Sequence, residues 1–463
     1  MYLLSYGIAV VAMLVAALYL FMRLRPFIAT TTILLGSLLV VYGPLSLIFT
    51  FFSGEYGLPV RILAGGMKFP PSTFPTIVAK VGDLDPIITN INFSLALMYL
   101  AIVAGVEAVN LAFPSRARSA DVAIANWSGE NIAHDGDVNK LLLCAISACF
   151  LVMLFYSLTE GHIRTISRFF SITMDNDSRN LFRAEHGGSP SYAYRLILSA
   201  FAPMLVIWGL LAGALGKSWP LVLSALLLLL ATLLGKIETL SKAPPAFFLL
   251  QLMLAMLLVF TNRVSWRVAL LVSIAALAVT WVATRILVIS PEISSVALAY
   301  SRIFDVETET LVENFAVFPR LHPFMWGTNL RPIAALMGVP YVPGFNIVGY
   351  AWSQNHNVTS PTLFIADAWA DFSYAGVLVF SVAAGAICRA IDIVFLAEGK
   401  SVAAVAVLGA TLWGVLTLIT TSLNIALLTG GLLIAPLLAG VLIAASRRIS
   451  PIIAIDRRER NDP

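Results

Sequence analysis

Residues 219–235 read WPLVLSALLLLLATLLG, 17 positions without a charge between Lys217 and Lys236. A run of this kind closes its backbone hydrogen bonds within a helix and leaves its side chains to lipid, and about 20 such residues cross a bilayer. Working outward, comparable runs occupy 2–22, 28–53, 90–113, 140–158, 194–215, 245–262, 266–288, 362–387, 402–423 and 427–446. The expected fold is all-α: a polytopic membrane protein with about 11 transmembrane helices, forming a single integral membrane domain over 1–463. Composition agrees. Of 463 residues 59% are hydrophobic and 12% charged, with mean hydropathy +0.90. A soluble domain carries about 25% charged residues, so a soluble enzyme on one anchor is excluded.

The charges between the runs orient them. The apolar N-terminus has no basic leader, and its first charges, Arg23 and Arg25, follow the run. That is a first membrane helix starting outside rather than a signal peptide. The inward segments then hold Arg23 and Arg25; Arg116, Arg118 and Lys140; Lys217; Arg263 and Arg267; Arg389 and Lys400; and a tail, 447–463, with Arg447, Arg448, Arg457, Arg458 and Arg460. Every inward turn is basic, as positive charge on the cytoplasmic side requires. The loop 236–244, with Lys236 and Lys242, fits less well as a short outward loop. Cys144, Cys149 and Cys388 all lie in apolar runs, so neither a disulfide nor a metal cluster is expected.

Three long outward segments remain: 54–89, 159–193 and 289–361. The last is the large loop before the ninth helix. It opens with a helical pattern, Tyr300, Ile303, Phe304, Leu311 and Phe315, broken by Asp305, Glu307, Glu309 and Glu313. Its later aromatics, among them Trp326, Tyr341, Tyr350 and Trp352, make it too apolar for a disordered linker, and short helices lying over the membrane surface are expected.

Arginines on outward segments run against the usual charge bias, and an anion held at the membrane surface would use them. Arg179 and Arg183, four residues apart, would share a helix face and grip one pyrophosphate, with Arg195 nearby. Headgroup anchoring, or pairing with Asp175, Asp177 and Glu185, is the plainer use of any one of them. His162, His186, His322 and His356 are outward, where a general base would be placed, although a single loop histidine is more often a bystander. Asp367 and Asp371 stand one turn apart near a helix end and so share a face. Carboxylates at that depth orient an arginine, activate a hydroxyl, carry a proton, or simply meet interfacial water. The pairs Asp83-Leu84-Asp85 and Asp175-Asn176-Asp177 have a metal-binding spacing that is common by chance. No H-x-x-H or H-E-x-x-H spacing occurs, Gly216-Lys217-Ser218 lacks the earlier glycine of a phosphate loop, and nothing points to nucleic acid.

The order of a basic outward loop, several helices, a very large outward loop, and a His-Asn before a helix closing in a glycine turn resembles a family. It is similar to the bacterial oligosaccharide repeat-unit polymerases (Wzy-type O-antigen polymerases) and the related O-antigen ligases. In those proteins a His-Asn often precedes a helix closed by Phe-Gly-x-x-Gly. Here His356-Asn357 is followed by Ala366-Asp367-Ala368-Trp369 and Phe372-Ser373-Tyr374-Ala375-Gly376, with Ser373 standing at the first glycine. Ser178-Arg179 with Gly187-Gly188 and Tyr192 resembles the family's arginine loop, and Leu234-Gly235-Lys236 with Pro244-Pro245 its basic turn. The spacing from His356 to Gly376 is longer than in the ligases and argues for a polymerase.

The resemblance implies a C-type glycosyltransferase-like fold that uses no nucleotide, cofactor or metal. An acceptor hydroxyl would attack the anomeric carbon of a glycan on polyprenyl diphosphate, which leaves. Arg179, Arg183 and Arg302 would stabilise the departing diphosphate, with Arg195 and Lys236 as further candidates. His356 would be the base, with Asp367 or Asp371 as orienter or substitute, and Tyr350, Trp352 and His186 would meet sugar. The site would face the periplasm from the bacterial inner membrane, with the N-terminus periplasmic and the C-terminus cytoplasmic. Its partners would be the polyprenyl-diphosphate-linked oligosaccharide, membrane lipids, a chain-length regulator and a flippase. An O-antigen ligase shares most of these features. A secondary transporter or lipid-linked oligosaccharide flippase would show internal repeats, interrupted helices and mid-membrane charges.

Overall fold

The computed structural model describes residues 1–25, 27–54, 72–134, 136, 138–159, 191–238, 243–261, 300–354 and 359–461. Helices dominate the described residues, with one isolated bridge, Ala133 to Ser401, and no strand among them. Among the described residues eight helices are long and apolar enough to cross a membrane: Tyr2–Leu24, Thr30–Phe51, Asp85–Ala112, Val138–Thr159, Tyr192–Leu215, Trp219–Ile237, Phe364–Leu396 and Val402–Thr420. Pro244–Phe260 is a shorter apolar helix. The chain is a multi-pass membrane protein. The expected run 266–288 lies outside the described residues. The expected run 427–446 is replaced by a short helix, Leu423–Leu427, and a second one starting at Ile434.

The helix that begins at Trp219 shows why apolar runs become membrane helices. Leu223, Leu226, Leu227, Leu230 and Leu234 are exposed, while Leu221, Ala225, Leu228 and Thr232 are buried. Exposed leucines at helical spacing form a continuous stripe that only lipid would cover well. This helix continues to Glu238. Lys236, expected in a loop over 236–244, is instead in its last turn and buried. The apolar turns before it extend the helix past the first charge, because stopping there would expose backbone groups.

The chain divides into two compact units. The first holds Met1–Pro114, Arg263–Ala390 and Leu416–Ile425; the second holds Ser115–Asn262, Ile391–Val415 and Ala426–Pro463. In the second unit, helix Ala202–Leu215 packs between Trp219–Glu238 and Val138–Thr159. In the first unit, Tyr2–Tyr19 packs along Asp85–Ala112. That helix also meets Phe364–Leu396 at two glycines. A Cβ on Gly105 would sit 2.2 Å from the Val382 carbonyl oxygen, and one on Gly385 2.3 Å from that of Ile102. Such backbone approach gives helices in lipid the dispersion contact that hydrophobic burial does not supply there.

Two features of the first unit correct the expected picture. The run 28–53 is two helices, Thr30–Val41 and Pro44–Phe51, parted at Tyr42-Gly43. The segment after Tyr300 does not lie on a surface. A π-helical turn, Ser301–Asp305, leads into Val306–Val317, whose Leu311, Val312, Phe315, Ala316 and Val317 are buried. It packs against Asp85–Ala112, Phe74–Val81 and Gly344–Ser353. Its apolar residues repeat at helical spacing and outweigh its three carboxyls, Glu307, Glu309 and Glu313. The rest of the segment does expose apolar side chains, including Leu321, Trp326, Leu336, Met337 and Val342, as a membrane-facing rim would.

Candidate functional site

Helix Phe364–Leu396 is broken at Phe372 (φ −137°, ψ 18°) and Ser373 (φ 57°, ψ −143°). Ser373 lies next to a region that glycine alone occupies easily, at a cost of about 1–3 kcal/mol for other residues. Three residues on, Gly376 comes so close to the preceding turn that a Cβ would lie 2.1 Å from the Ala368 carbonyl oxygen. Asp367 and Asp371 lie in the first two turns of the span Phe364–Leu396, nearer one end than its middle.

A break frees carbonyls that lipid cannot satisfy. Here a tight loop fills it. Met325 N donates to Ala370 O (2.8 Å) and Trp326 N to Asp371 O (3.2 Å). Gly327 N (3.0 Å) and Asn329 N (3.4 Å) both donate to Asp371 Oδ1. The loop turns through positive φ at Trp326 (51°) and Gly327 (90°). Asp371 is fully buried, and its Oδ2 has no hydrogen-bond partner among the described residues. Asp367, also buried, has the Asn329 and Ser422 side chains beside it, and the Ser422 hydroxyl donates to Asn424 Oδ1. Trp369, between the two, donates to Phe318 O (2.9 Å) and stacks on Phe315 at 4.6 Å.

Beside the carboxyls stands Tyr341, with the Arg331 guanidinium 5.1 Å above its ring. Burial first, and then the Asp367 carboxyl, push the Tyr341 phenol above its ordinary range, while Arg331 and an Asn424 hydrogen bond oppose the shift. A second acidic group lies along the helix entered at Ser301. Burial raises Asp305 and Glu307 to about 8, and raises Glu309 and Glu313 as well. These carboxyls hold neighbouring segments: Ser360 Oγ donates to Glu313 Oε2 (2.5 Å), Thr73 N to Glu309 Oε1 (3.2 Å) and Tyr42 OH to Glu307 Oε2 (3.3 Å).

The expected site residues fare differently. Asp367 and Asp371 come together on one face, as their spacing requires. Arg302 is in the same unit, with its side chain exposed. Tyr350 is exposed on helix Gly344–Ser353. Trp352 has one ring face covered by Lys80 Nζ, 5.1 Å from its centroid, which also donates to Ala351 O (2.6 Å). That face is closed to a sugar. Arg195 and Lys236 belong to the second unit. Lys236 Nζ lies 5.6 Å from the Phe248 ring and 5.5 Å from the Trp413 ring, enclosed by aromatic faces that attract a cation. Arg179, Arg183, His186 and His356 lie outside the described residues. Sequence reasoning passed over Asn329 and Ser422, which touch the carboxyls; the only local signal was the Gly327-Thr328-Asn329 turn cluster. No protein-family model, curated protein or solved structure matches this chain.

Proposed function

We propose that the chain is a membrane glycosyltransferase that polymerises polyprenyl-diphosphate-linked oligosaccharide repeat units at the outer face of the bacterial inner membrane. The observation that carries the reading is the broken helix. In the family that the sequence resembles, glycine stands where Ser373 stands, and Ser373 has a backbone conformation that suits glycine. The break seats a buried carboxyl pair near one end of a membrane span, the depth at which a lipid-linked sugar would be held. In this reading the acceptor hydroxyl meets Asp371, whose Oδ2 is otherwise unpaired. His356 takes the hydroxyl proton as the oxygen attacks the anomeric carbon. The departing diphosphate is met by outward arginines, Arg179, Arg183 and Arg302 among them.

The test is deletion of the gene, followed by gel analysis of surface glycan and complementation with Asp371→Asn. Loss of the ladder, with a single repeat unit still attached, is the expected result, and Asp371→Asn should reduce polymerisation by about 100-fold or more. Polymer accumulating on the lipid carrier would instead identify a ligase.

A second reading, a transporter or flippase for the same lipid-linked oligosaccharide, draws on the two interrupted helices and on the buried carboxyls between Asp305 and Glu313. An unchanged glycan profile on deletion would end the transferase reading and favour this one.

A further inference from the structure

We propose that Asn329 is a positioning residue that gives the two carboxyls their different tasks, engaging Asp367 through its side chain and Asp371 through its backbone; this rests on the transferase reading above. Asn329 is 3% exposed. Its Oδ1 accepts from Gly344 N at 2.8 Å, which settles the orientation of the amide. Nδ2 is then the donor end, and it faces Asp367: a Cβ on Gly344 would lie 3.5 Å from Asn329 Nδ2 and 3.3 Å from Asp367 Oδ1. The backbone N–H, with that of Gly327, points at Asp371 Oδ1.

One residue thus ties together the start of the helix carrying Tyr350, the Asp367 carboxyl and the Asp371 carboxyl. The consequence is an asymmetry. Asp367 has the polar side chains of Asn329 and Ser422 beside it. Asp371 has one oxygen held by two backbone N–H groups and the other oriented, buried and unpaired. A buried polar atom kept in that condition is a place for a ligand group, and one hydrogen bond to a sugar hydroxyl satisfies it. Asn329 therefore makes Asp371, and not Asp367, the carboxyl that meets the acceptor. Among the described residues, the charged and titratable groups near this pair include Arg331 and Tyr341.

The test variant is Asn329→Asp, which keeps the backbone N–H and the acceptor for Gly344 but puts an oxygen where the donor faced Asp367. Membranes carrying the full chain would be supplied with lipid-linked repeat units extracted from a deletion strain, and polymer formation followed from about pH 5 to about pH 8. A carboxyl introduced beside another takes up a proton readily and, once protonated, donates again. The expected result is a fall in kcat of about 100-fold at about pH 8, recovering as pH falls, with little change in KM; wild type shows no such recovery. A wild-type rate and pH profile in this variant would overturn the proposal. If the variant does not accumulate, Gly344→Ala presses on the same pair from the other side. It should lower kcat by about tenfold, and a wild-type rate overturns the proposal equally. Full activity of Asp371→Asn would sink the transferase reading itself. An inactive Asp371→Asn beside an Asn329→Asp with the wild-type profile would sink only the role of Asn329.

Discussion

Two membrane helices of the first unit are interrupted, and the chain repairs them in different ways. At Tyr42-Gly43 the Tyr42 carbonyl accepts from a side chain, the Tyr99 hydroxyl, at 3.4 Å, and the same hydroxyl lies 2.9 Å from the Leu38 carbonyl, which keeps its helical partner Tyr42 N. At Phe372-Ser373 the carbonyls of Ala370 and Asp371 accept instead from backbone N–H groups of a loop more than 40 residues away in sequence. The first repair is an internal patch within packed helices. The second brings a separate segment onto a carboxyl pair and fixes that segment's shape. A broken helix is thus a neutral event in one place and the foundation of a candidate site in the other. What differs is the partner that supplies the missing hydrogen bonds.

The comparison can be broken most forcefully at Gly376. Alanine there should destabilise the folded chain by about 3 kcal/mol and reduce accumulation in the membrane, because the built Cβ meets backbone oxygen. Gly36, with open space around it, is the control, and its alanine variant should melt like wild type. Equal melting temperatures for the two variants would show that the turn does not close as described. At the other break, Tyr99→Phe should cost about 1–3 kcal/mol in thermal unfolding while polymerisation per folded molecule is unchanged. A loss of activity beyond the loss of protein would erase the distinction between patch and site.

Ser373→Gly sharpens the contrast from the opposite direction. Relief of the positive φ should stabilise the chain by about 1 kcal/mol, seen as a raised Tm in detergent.

A pH-dependent effect belongs to the acidic helix. Burial holds Glu307 near 8 in the fold against an ordinary 4.5. A group raised in this way contributes stability that is complete below the unfolded value and is lost as pH rises through the folded one. Tm should therefore fall between about pH 5 and about pH 9, and Glu307→Gln should flatten part of that slope. An identical slope in the variant would remove Glu307 as its source.

Much of this was readable in advance. Eight apolar runs became membrane helices, most of them close to their expected ends although the run 362–387 continues to Leu396, because run length against bilayer thickness needs no tertiary information. Asp367 and Asp371 share a face for an equally local reason. The Gly43-Pro44 step was readable too, yet the length of the run 28–53 masked it. Lys236 was misplaced because charge suggested a loop while the fold encloses it between Phe248 and Trp413, residues that no local pattern connects to it. The helix Val306–Val317 was assigned to a surface because its segment is rich in aromatics, and its buried apolar side chains, Leu311, Val312, Phe315 and Ala316 among them, place it in the core instead.

By itself, then, the sequence determined that the chain is all-α and crosses the membrane many times, and which residues could share a helix face. Those properties follow from the 3.6-residue period and from the cost of unpaired peptide groups in lipid. Tertiary structure alone decided that Ser373 takes a glycine's conformation, that the loop 325–329 docks into the resulting gap, and that Asn329 reaches both carboxyls. Each depends on hydrogen bonds between segments distant in sequence, whose geometry exists only after the helices have packed.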